Sequence, residues 1–139
     1  MSGWGVKVIY SNRRRLPTEE EEWLGGLRYV TMSELFAESD IISLHCPLTP
    51  ETRHLINSKT LSQCQKGVYI INTSRGSVVD ERALIDALKS GQVRRAGLDV
   101  FEREPQLDNK ELFDNPNVIL SPHYAVYTQE CGTSYSKLI

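Results

Sequence analysis

Residues 68–76 are Val-Tyr-Ile-Ile-Asn-Thr-Ser-Arg-Gly, and this stretch decides the fold of the chain. The apolar run Val68–Ile71 predicts a buried strand over residues 68–72, and the polar residues that follow predict a tight turn and then a helix. In an open parallel α/β sheet, ligands bind at the carboxyl ends of the strands. Arg75 stands at such an end and offers a fork of donors that suits a carboxylate. An exposed arginine that only tethers the loop is the alternative.

The rest of the chain alternates strands with helices. Strands are predicted at residues 6–10, 27–30, 40–46, 96–101 and 118–121. Thr18 and Ser33 are predicted to cap helices, and Asn57 and Ser58 are predicted to open another. A longer helix is predicted from Asp80 to Ser90, with Gly91 ending it. Residues 102–117 are predicted to form a long polar loop. Several strands lack an apolar-polar alternation, so the sequence predicts an α/β fold with a parallel sheet covered by helices on both faces.

Composition narrows the functional classes. The chain has 139 residues and a net charge of −2, which fits one domain and argues against a nucleic-acid surface. No apolar run approaches the length of a membrane span, and the first residues lack the layout of a secretory signal. The cysteines Cys46, Cys64 and Cys131 are irregularly spaced. They predict free thiols in a reducing, cytoplasmic setting, with no disulfide frame and no metal site.

Three predicted strand ends carry side chains that could work together. Arg75 follows one strand, Glu102 and Glu104 follow the next, and His123 follows the last. An imidazole that is hydrogen-bonded to a carboxylate is suited to proton transfer, and a nearby guanidinium could orient an anionic substrate. The prediction requires a strand order that brings the three loops to one edge of the sheet.

Long motifs in the chain resemble the cofactor-binding domain of the D-isomer-specific 2-hydroxyacid dehydrogenases. They are residues 35–57 (LFAESDIISLHCPLTPETRHLIN), 66–80 (KGVYIINTSRGSVVD), 97–105 (GLDVFEREP) and 121–123 (SPH), in the family's order. The resemblance covers roughly residues 5 to 130. It implies a Rossmann-like fold and hydride transfer between a nicotinamide cofactor and a 2-keto or 2-hydroxy acid, with glyoxylate and hydroxypyruvate as candidate substrates.

The resemblance also implies roles for individual residues. Arg75 would bind the substrate carboxylate, and His123 would be the general acid in reduction. Glu104 would pair with His123 and keep it protonated, whereas Glu102 is expected at the surface. Asp99 would face the nicotinamide carboxamide.

Further positions are implied to lie at the cofactor. Pro47, Thr73 and Ser74 would line the cofactor groove. His45 is expected near the groove as well, whereas His54 is predicted to lie in a polar turn and to be exposed.

The turn at residues 11–15 bears on the choice of cofactor. NAD-preferring sites usually place an acid after the second strand, but here the residues are Ser-Asn-Arg-Arg-Arg. Asn12 and Arg13 would therefore bind the ribose end, and three guanidiniums would attract a 2′-phosphate, which favours NADP over NAD. The alternative is a solvated basic turn balanced by Glu19–Glu22.

The sequence also departs from the family pattern. The glycine-rich phosphate loop and the first strand are expected to be missing, because Gly-Trp-Gly at positions 3–5 precedes a strand and does not follow one. Residues 1–130 are interpreted as a partial dinucleotide-binding domain and residues 131–139 as the start of a truncated segment. The bulky residues 124–128 are expected to crowd the nicotinamide.

Family members are usually dimers, so a homodimer is one expectation. A catalytically inactive fragment or a non-catalytic dinucleotide-binding or interaction module is the alternative to an enzyme.

Overall fold

The computed structural model describes residues 5–105, 109–128 and 131, and it contains two parallel sheets. In the smaller sheet, β1 (Ile9–Tyr10) pairs with β2 (Arg28–Tyr29). The larger sheet has the order β3 (Ile41–Leu44), β4 (Val68–Asn72), β5 (Val93–Leu98) and β6 (Val118–Leu120). The helices are α1 (Thr18–Trp23), α2 (Met32–Glu38), α3 (Ser58–Leu61), α4 (Glu81–Ser90) and α5 (Lys110–Phe113). This arrangement confirms the predicted Rossmann-like α/β class.

The core lies between one face of the larger sheet and its helices. The sheet contributes Ile42, Leu44, Val68, Ile70, Ala96 and Leu98 to this core. Helix α4 contributes Leu84, Ile85 and Leu88, and Leu84 is completely buried. Burial of a side chain of this size stabilises the fold by about 1.5–3 kcal/mol, so α4 holds the sheet mainly through this apolar face.

The ends of the longer elements follow the sequence signals. The Asp80 carboxylate caps α4 by accepting a hydrogen bond from the Ala83 N–H at 3.0 Å, and Gly91 ends the helix with a φ of 73°. Asn57 caps α3, as predicted. Helix α2 instead begins after Thr31, which forms a capping box with Glu34.

Other predicted bounds are wrong. Thr18 is the first residue of α1 and its side chain makes no capping bond, because Pro17 occupies the cap position. Strand β1 has two residues, whereas residues 6–10 were predicted. Strand β5 spans residues 93–98 and not 96–101, and it includes two solvent-exposed arginines, Arg94 and Arg95. The predicted loop 102–117 contains α5. The predicted C-terminal segment lies outside the described residues except for Cys131, as do Gly3 and Trp4.

The prediction that helices cover both faces of the larger sheet is wrong for its second face, within the described part of the chain. The register aligns Ser43, Ile71, Gly97 and Ile119 in one row across the four strands. In that row, Ile71 and Ile119 are exposed, and Ile41 beside them is exposed too. Within the described part of the chain, this apolar face is therefore open to solvent.

Candidate active site

The strand order brings the predicted catalytic residues to one edge of the larger sheet. Arg75 follows β4, Glu104 follows β5 and His123 follows β6, and these three strands are consecutive neighbours. Because all the strands are parallel, their carboxyl ends meet at the same edge.

Glu104 and His123 form a direct pair. The Oε2 atom of Glu104 lies 2.7 Å from Nδ1 of His123. The other carboxylate oxygen, Oε1, accepts a hydrogen bond from the N–H of Phe101 at 2.7 Å, which fixes the carboxylate to its own loop. Both side chains remain partly exposed. The imidazole is therefore held by one nitrogen. Its Nε2 atom makes no hydrogen bond with the described residues and can exchange a proton with a ligand.

Asp99, at the end of β5, holds the loop that carries His123. Its side chain accepts hydrogen bonds from the Ser121 hydroxyl, from the Tyr124 N–H at 2.8 Å and from the Ala125 N–H at 2.9 Å. Burial alone would raise the pKa of Asp99, but these three donors outweigh it and lower the pKa below its usual value. His123 lies between the donors with a φ of 59°, a conformation that is uncommon for a residue other than glycine. Asp99 therefore stabilises the backbone that presents the imidazole.

Arg75 lies beside an open cleft of about 460 Å³ at the ends of β3 and β4. The cleft is lined by His45, Cys46, Pro47, Leu48, Thr73, Ser74 and Arg75. This set includes the three predicted groove residues Pro47, Thr73 and Ser74. The Arg75 guanidinium donates to the Ser74 carbonyl at 2.6 Å and makes no ion pair with any described carboxylate. Its remaining donors are therefore available to an anion.

Asn72 shapes the turn before Arg75, a role that the sequence analysis did not assign. The side chain is fully buried. Its Oδ1 atom accepts bonds from the N–H and hydroxyl of Ser74 at 3.0 and 2.8 Å, and its Nδ2 atom donates to the Arg75 carbonyl at 3.0 Å. An asparagine at the end of an apolar run is the sequence signal for such a turn.

Gly76 brings the Arg75 turn against the loop that carries Glu104. A Cβ atom at Gly76 would lie 1.8 Å from the carbonyl oxygen of Phe101 and 2.5 Å from the nitrogen of Glu102. Only glycine permits this approach of two backbones. The contact places the Arg75 turn and the Glu102–Glu104 loop in a fixed relation.

Glu102 and His54 differ from the expectation that both are simply exposed. The Glu102 Oε1 atom lies 2.5 Å from His54 Nε2, and the two side chains are only 27% and 36% exposed. The backbone of His54 has a φ of 51°. The sequence carried no signal for this pair, because 48 residues separate its members.

The basic turn after β1 retains two available guanidiniums out of the predicted three. Arg15 is bound to Glu21 through Nε–Oε1 at 2.9 Å and Nη2–Oε2 at 2.8 Å. Glu21 is 4% exposed and also accepts a bond from the Tyr10 hydroxyl, so it is not part of a solvated helix start. The Arg15 and Tyr10 donors lower the pKa of Glu21 to about 2. Arg13 and Arg14 form no salt bridge with the described residues.

Asn12 and Arg13 both belong to this turn. The Asn12 side chain accepts a bond from the Arg13 N–H at 2.8 Å, and the Asn12 carbonyl accepts one from the Tyr29 hydroxyl at 3.0 Å. The pKa of Glu51 is lowered chiefly by the Thr49 hydroxyl and its own backbone N–H, and further by the charge of Arg13. Arg13 therefore lies close to the loop that follows the cleft residues Pro47 and Leu48.

The cysteines are free, as predicted. Burial raises the pKa of the Cys46 thiol and raises that of Cys64 to about 11, so both are poor nucleophiles. Among the described residues, no cluster of three or more histidine, cysteine or acidic side chains could hold a metal ion. None of the described helices is long and apolar enough to cross a bilayer.

The sequence that forms this sheet and its strand-end loops matches a known family. The sequence profile of the D-isomer specific 2-hydroxyacid dehydrogenase NAD binding domain matches residues 1–125. The chain belongs to this family. This confirms the resemblance inferred from the motifs at residues 35–57 and 66–80.

Particular relatives agree with this assignment. The chain is 50% identical over 137 residues to a glyoxylate reductase of Thermococcus litoralis, covering 99% of this chain and 40% of that protein. The crystal structure of a glyoxylate reductase from Paecilomyes thermophila superposes with a TM-score of 0.90 at 43% identity, covering 99% of this chain and 40% of the other. A D-lactate dehydrogenase from Aquifex aeolicus, complexed with NAD and lactic acid, gives 0.86 at 36% identity, with 99% and 45% coverage. The chain thus spans less than half the length of these relatives.

Proposed function

We propose that the chain supplies the catalytic groups of an oxidoreductase that reduces a small 2-keto acid, such as glyoxylate or hydroxypyruvate, to its 2-hydroxy acid. The Glu104–His123 pair, at 2.7 Å, is the observation that carries this proposal. A general acid must be held in place and must keep one nitrogen free, and His123 satisfies both conditions. The similarity to glyoxylate reductases supports the choice of a short 2-keto acid.

Each catalytic side chain would have a separate task. The Arg75 guanidinium would bind the substrate carboxylate and orient the neighbouring carbonyl. His123 would donate a proton from Nε2 to the carbonyl oxygen as carbon 2 is reduced. Glu104 would stabilise the protonated imidazole through Nδ1 and keep the ring oriented. In the reverse direction, His123 would accept the proton of the hydroxyl group.

The residues of the cleft fit a nicotinamide dinucleotide, which would supply the hydride when bound. The Thr73 hydroxyl lines the cleft and makes no hydrogen bond within the described part of the chain. Pro47 and Ser74 would line the same groove. Asp99 uses about three of the four acceptor positions of its carboxylate, so one remains for the carboxamide of the cofactor.

We infer a preference for NADP over NAD, carried by Asn12, Arg13 and Arg14. No acidic residue occupies positions 11–15, and two exposed guanidiniums there have no salt-bridge partner among the described residues. A 2′-phosphate would supply that partner. Arg15 is left out of this inference because Glu21 binds it.

Other aspects of the whole protein are also proposals. We propose that residues 1–130 form part of a dinucleotide-binding domain, that the protein works in the cytoplasm and that it forms a homodimer, as its relatives' family suggests. Tyr124 and Tyr127, which follow His123 closely in the chain, favour a second candidate, since their rings contact each other with centroids 5.0 Å apart. In that case, the bulk would hinder the nicotinamide, and the protein would be a non-catalytic dinucleotide-binding module.

Fluorescence titrations with NADPH and NADH, followed by glyoxylate reduction assays, test these proposals. We expect saturable binding that is tighter for NADPH, and oxidation of NADPH that requires glyoxylate. The paired variant R13A/R14A should bind NADPH more weakly and leave NADH binding unchanged, whereas Arg94→Ala, an exposed arginine on β5, should change neither. Binding without turnover would favour the non-catalytic module, and no binding of either dinucleotide would overturn the cofactor proposal.

A further inference from the structure

His54 occupies a position between the two halves of the candidate site. Its N–H donates to the Ser77 carbonyl at 2.8 Å, two residues after Arg75. The next residues continue this contact, because the Ile56 N–H donates to Val78 and the Asp80 N–H donates to Ile56. Backbone hydrogen bonds therefore join residues 54–56 to residues 77–80, the segment that directly follows the Arg75 turn.

The imidazole of His54 reaches the other half of the site. Its Nε2 atom lies 2.5 Å from the Glu102 carboxylate, two residues before Glu104. The Glu102 backbone is held as well, since its N–H donates to Glu81 Oε1 at 2.8 Å. Glu104 in turn reaches His123 at 2.7 Å. One path of hydrogen bonds thus runs from the Arg75 turn, through His54 and Glu102, to the loop that positions His123.

The backbone conformation of His54 indicates that this residue does more than expose a polar side chain to solvent. Among the described residues, His54 and His123 are the only ones other than glycine with a positive φ, at 51° and 59°. Such a conformation persists only where neighbouring contacts determine it. For His54 these contacts include the Asn57 Nδ2 atom, which donates to the His54 carbonyl at 2.7 Å. The conformation directs the imidazole toward Glu102.

We propose that His54 is a positioning residue that, through its bond to Glu102, sets the Glu104 carboxylate against Nδ1 of His123. The catalytic importance of this role rests on the proposed function, whereas the positioning itself does not. His54 and Glu102 touch neither substrate nor cofactor in this scheme. They fix the spacing between the loop with the anion-binding Arg75 and the loop with Glu104.

Two substitutions at His54 separate the bond from the backbone. Asn tolerates a positive φ, but its amide is too short to replace Nε2. Gln places an amide nitrogen near the position of Nε2 and can restore the donor. The readout is the Nδ1 proton resonance of His123 in the ¹⁵N-histidine-labelled chain, without cofactor or substrate, and His123→Gln assigns that signal.

We expect the carboxylate-bonded Nδ1 signal of His123 to be lost or to move strongly in His54→Asn and to be retained in His54→Gln. Glu102→Gln removes the charge with little change in shape and should also perturb the signal, so it decides the matter if His54→Asn unfolds the chain. His45→Asn, which breaks only the 2.8 Å contact with Ser43, should leave the signal unchanged. An unaltered His123 signal in both His54→Asn and Glu102→Gln would overturn the proposal, even if both variants unfold more easily. Because the readout needs no cofactor, its failure would leave the proposed function standing.

Discussion

Gly76 lies directly against the main chain of Phe101, so that a methyl group on Gly76 would be 1.8 Å from the Phe101 carbonyl oxygen. The obstacle is backbone, which cannot rotate away as a side chain can. We therefore expect Gly76→Ala to lower the free energy of unfolding by about 3 kcal/mol or more. Urea denaturation followed by circular dichroism measures this change.

Gly97 provides the matched control for this substitution. It lies in β5, has no atom within 4 Å of its would-be Cβ and lacks a positive φ. Gly97→Ala should therefore stay within about 0.5 kcal/mol of the natural chain. Equal stabilities for the two variants would mean that the turn after β4 can move away from Phe101.

Replacement of Asp99 by asparagine should loosen the loop that carries His123. The variant places an amide group where the carboxylate now accepts bonds from Ser121, Tyr124 and Ala125. The amide oxygen can still accept the two bonds now made to Oδ1, but the NH₂ group would face the remaining N–H, and loss of that charge-assisted bond costs about 1.5–3 kcal/mol. Hydrogen exchange at the Tyr124 and Ala125 amides should accelerate, while exchange in α4 stays the same. Uniform acceleration across the chain would instead indicate global destabilisation.

The ion pair of Glu21 should make stability depend on pH in the acid range. The pKa of Glu21 is about 2 in the folded chain, against an ordinary value of 4.5. A lowered pKa stabilises the fold at pH values above the ordinary one, and this contribution is lost as the pH falls from about 4.5 to about 2. Glu21→Gln should thus be less stable than the natural chain at neutral pH, and the difference should shrink on acidification.

Denaturation curves at successively lower pH values test this dependence, with Glu20→Gln as a control. Glu20 belongs to the same helix, but it is exposed and forms no salt bridge with the described residues. Its substitution should have little effect at any pH. A stability gap for Glu21→Gln that persists at the lowest pH would contradict the assigned role of the carboxylate.

Substitution of Arg75 should affect ligand binding and leave the fold intact. The side chain is exposed and its only described bond is to the neighbouring Ser74 carbonyl. Loss of a charge-assisted bond costs about 1.5–3 kcal/mol, so Arg75→Ala should weaken glyoxylate binding roughly tenfold or more. Arg75→Lys keeps the charge without the planar fork, so its affinity for glyoxylate should fall between those of the natural chain and Arg75→Ala. The kcat/KM for glyoxylate at saturating NADPH provides the measurement, and an unchanged value in Arg75→Ala would remove Arg75 from the site.

The sequence predicts the elements whose signals are local. Strand β4 was predicted with its observed bounds because a continuous apolar run ends at a polar turn, and α4 was predicted because Asp80 and Gly91 mark its ends. Strand β1 was predicted too long, since apolar residues alone do not reveal which of them find a pairing partner. Local patterns therefore predict the bounds of the central strand β4 better than those of the short strand β1.

In the candidate site too, residues with a local sequence signal could be predicted and residues that depend on distant partners could not. The positions of Arg75, Glu104 and His123 at strand ends follow from the alternation of the chain, and parallel pairing then brings them to one edge. The roles of Glu21 and His54 could not be predicted, because their partners lie far away in the sequence or on another element. Their sequence surroundings, a glutamate run and a polar turn, resemble ordinary solvent-exposed segments.

The exposed isoleucines of the larger sheet have a practical consequence for all of these measurements. Ile41, Ile71 and Ile119 lie on one open face, and β3 is an edge strand within the described sheets. Apolar faces and open strand edges promote self-association, which rises steeply with protein concentration. We therefore expect this face to favour association at high protein concentration, so dilute samples monitored by light scattering are the appropriate starting point.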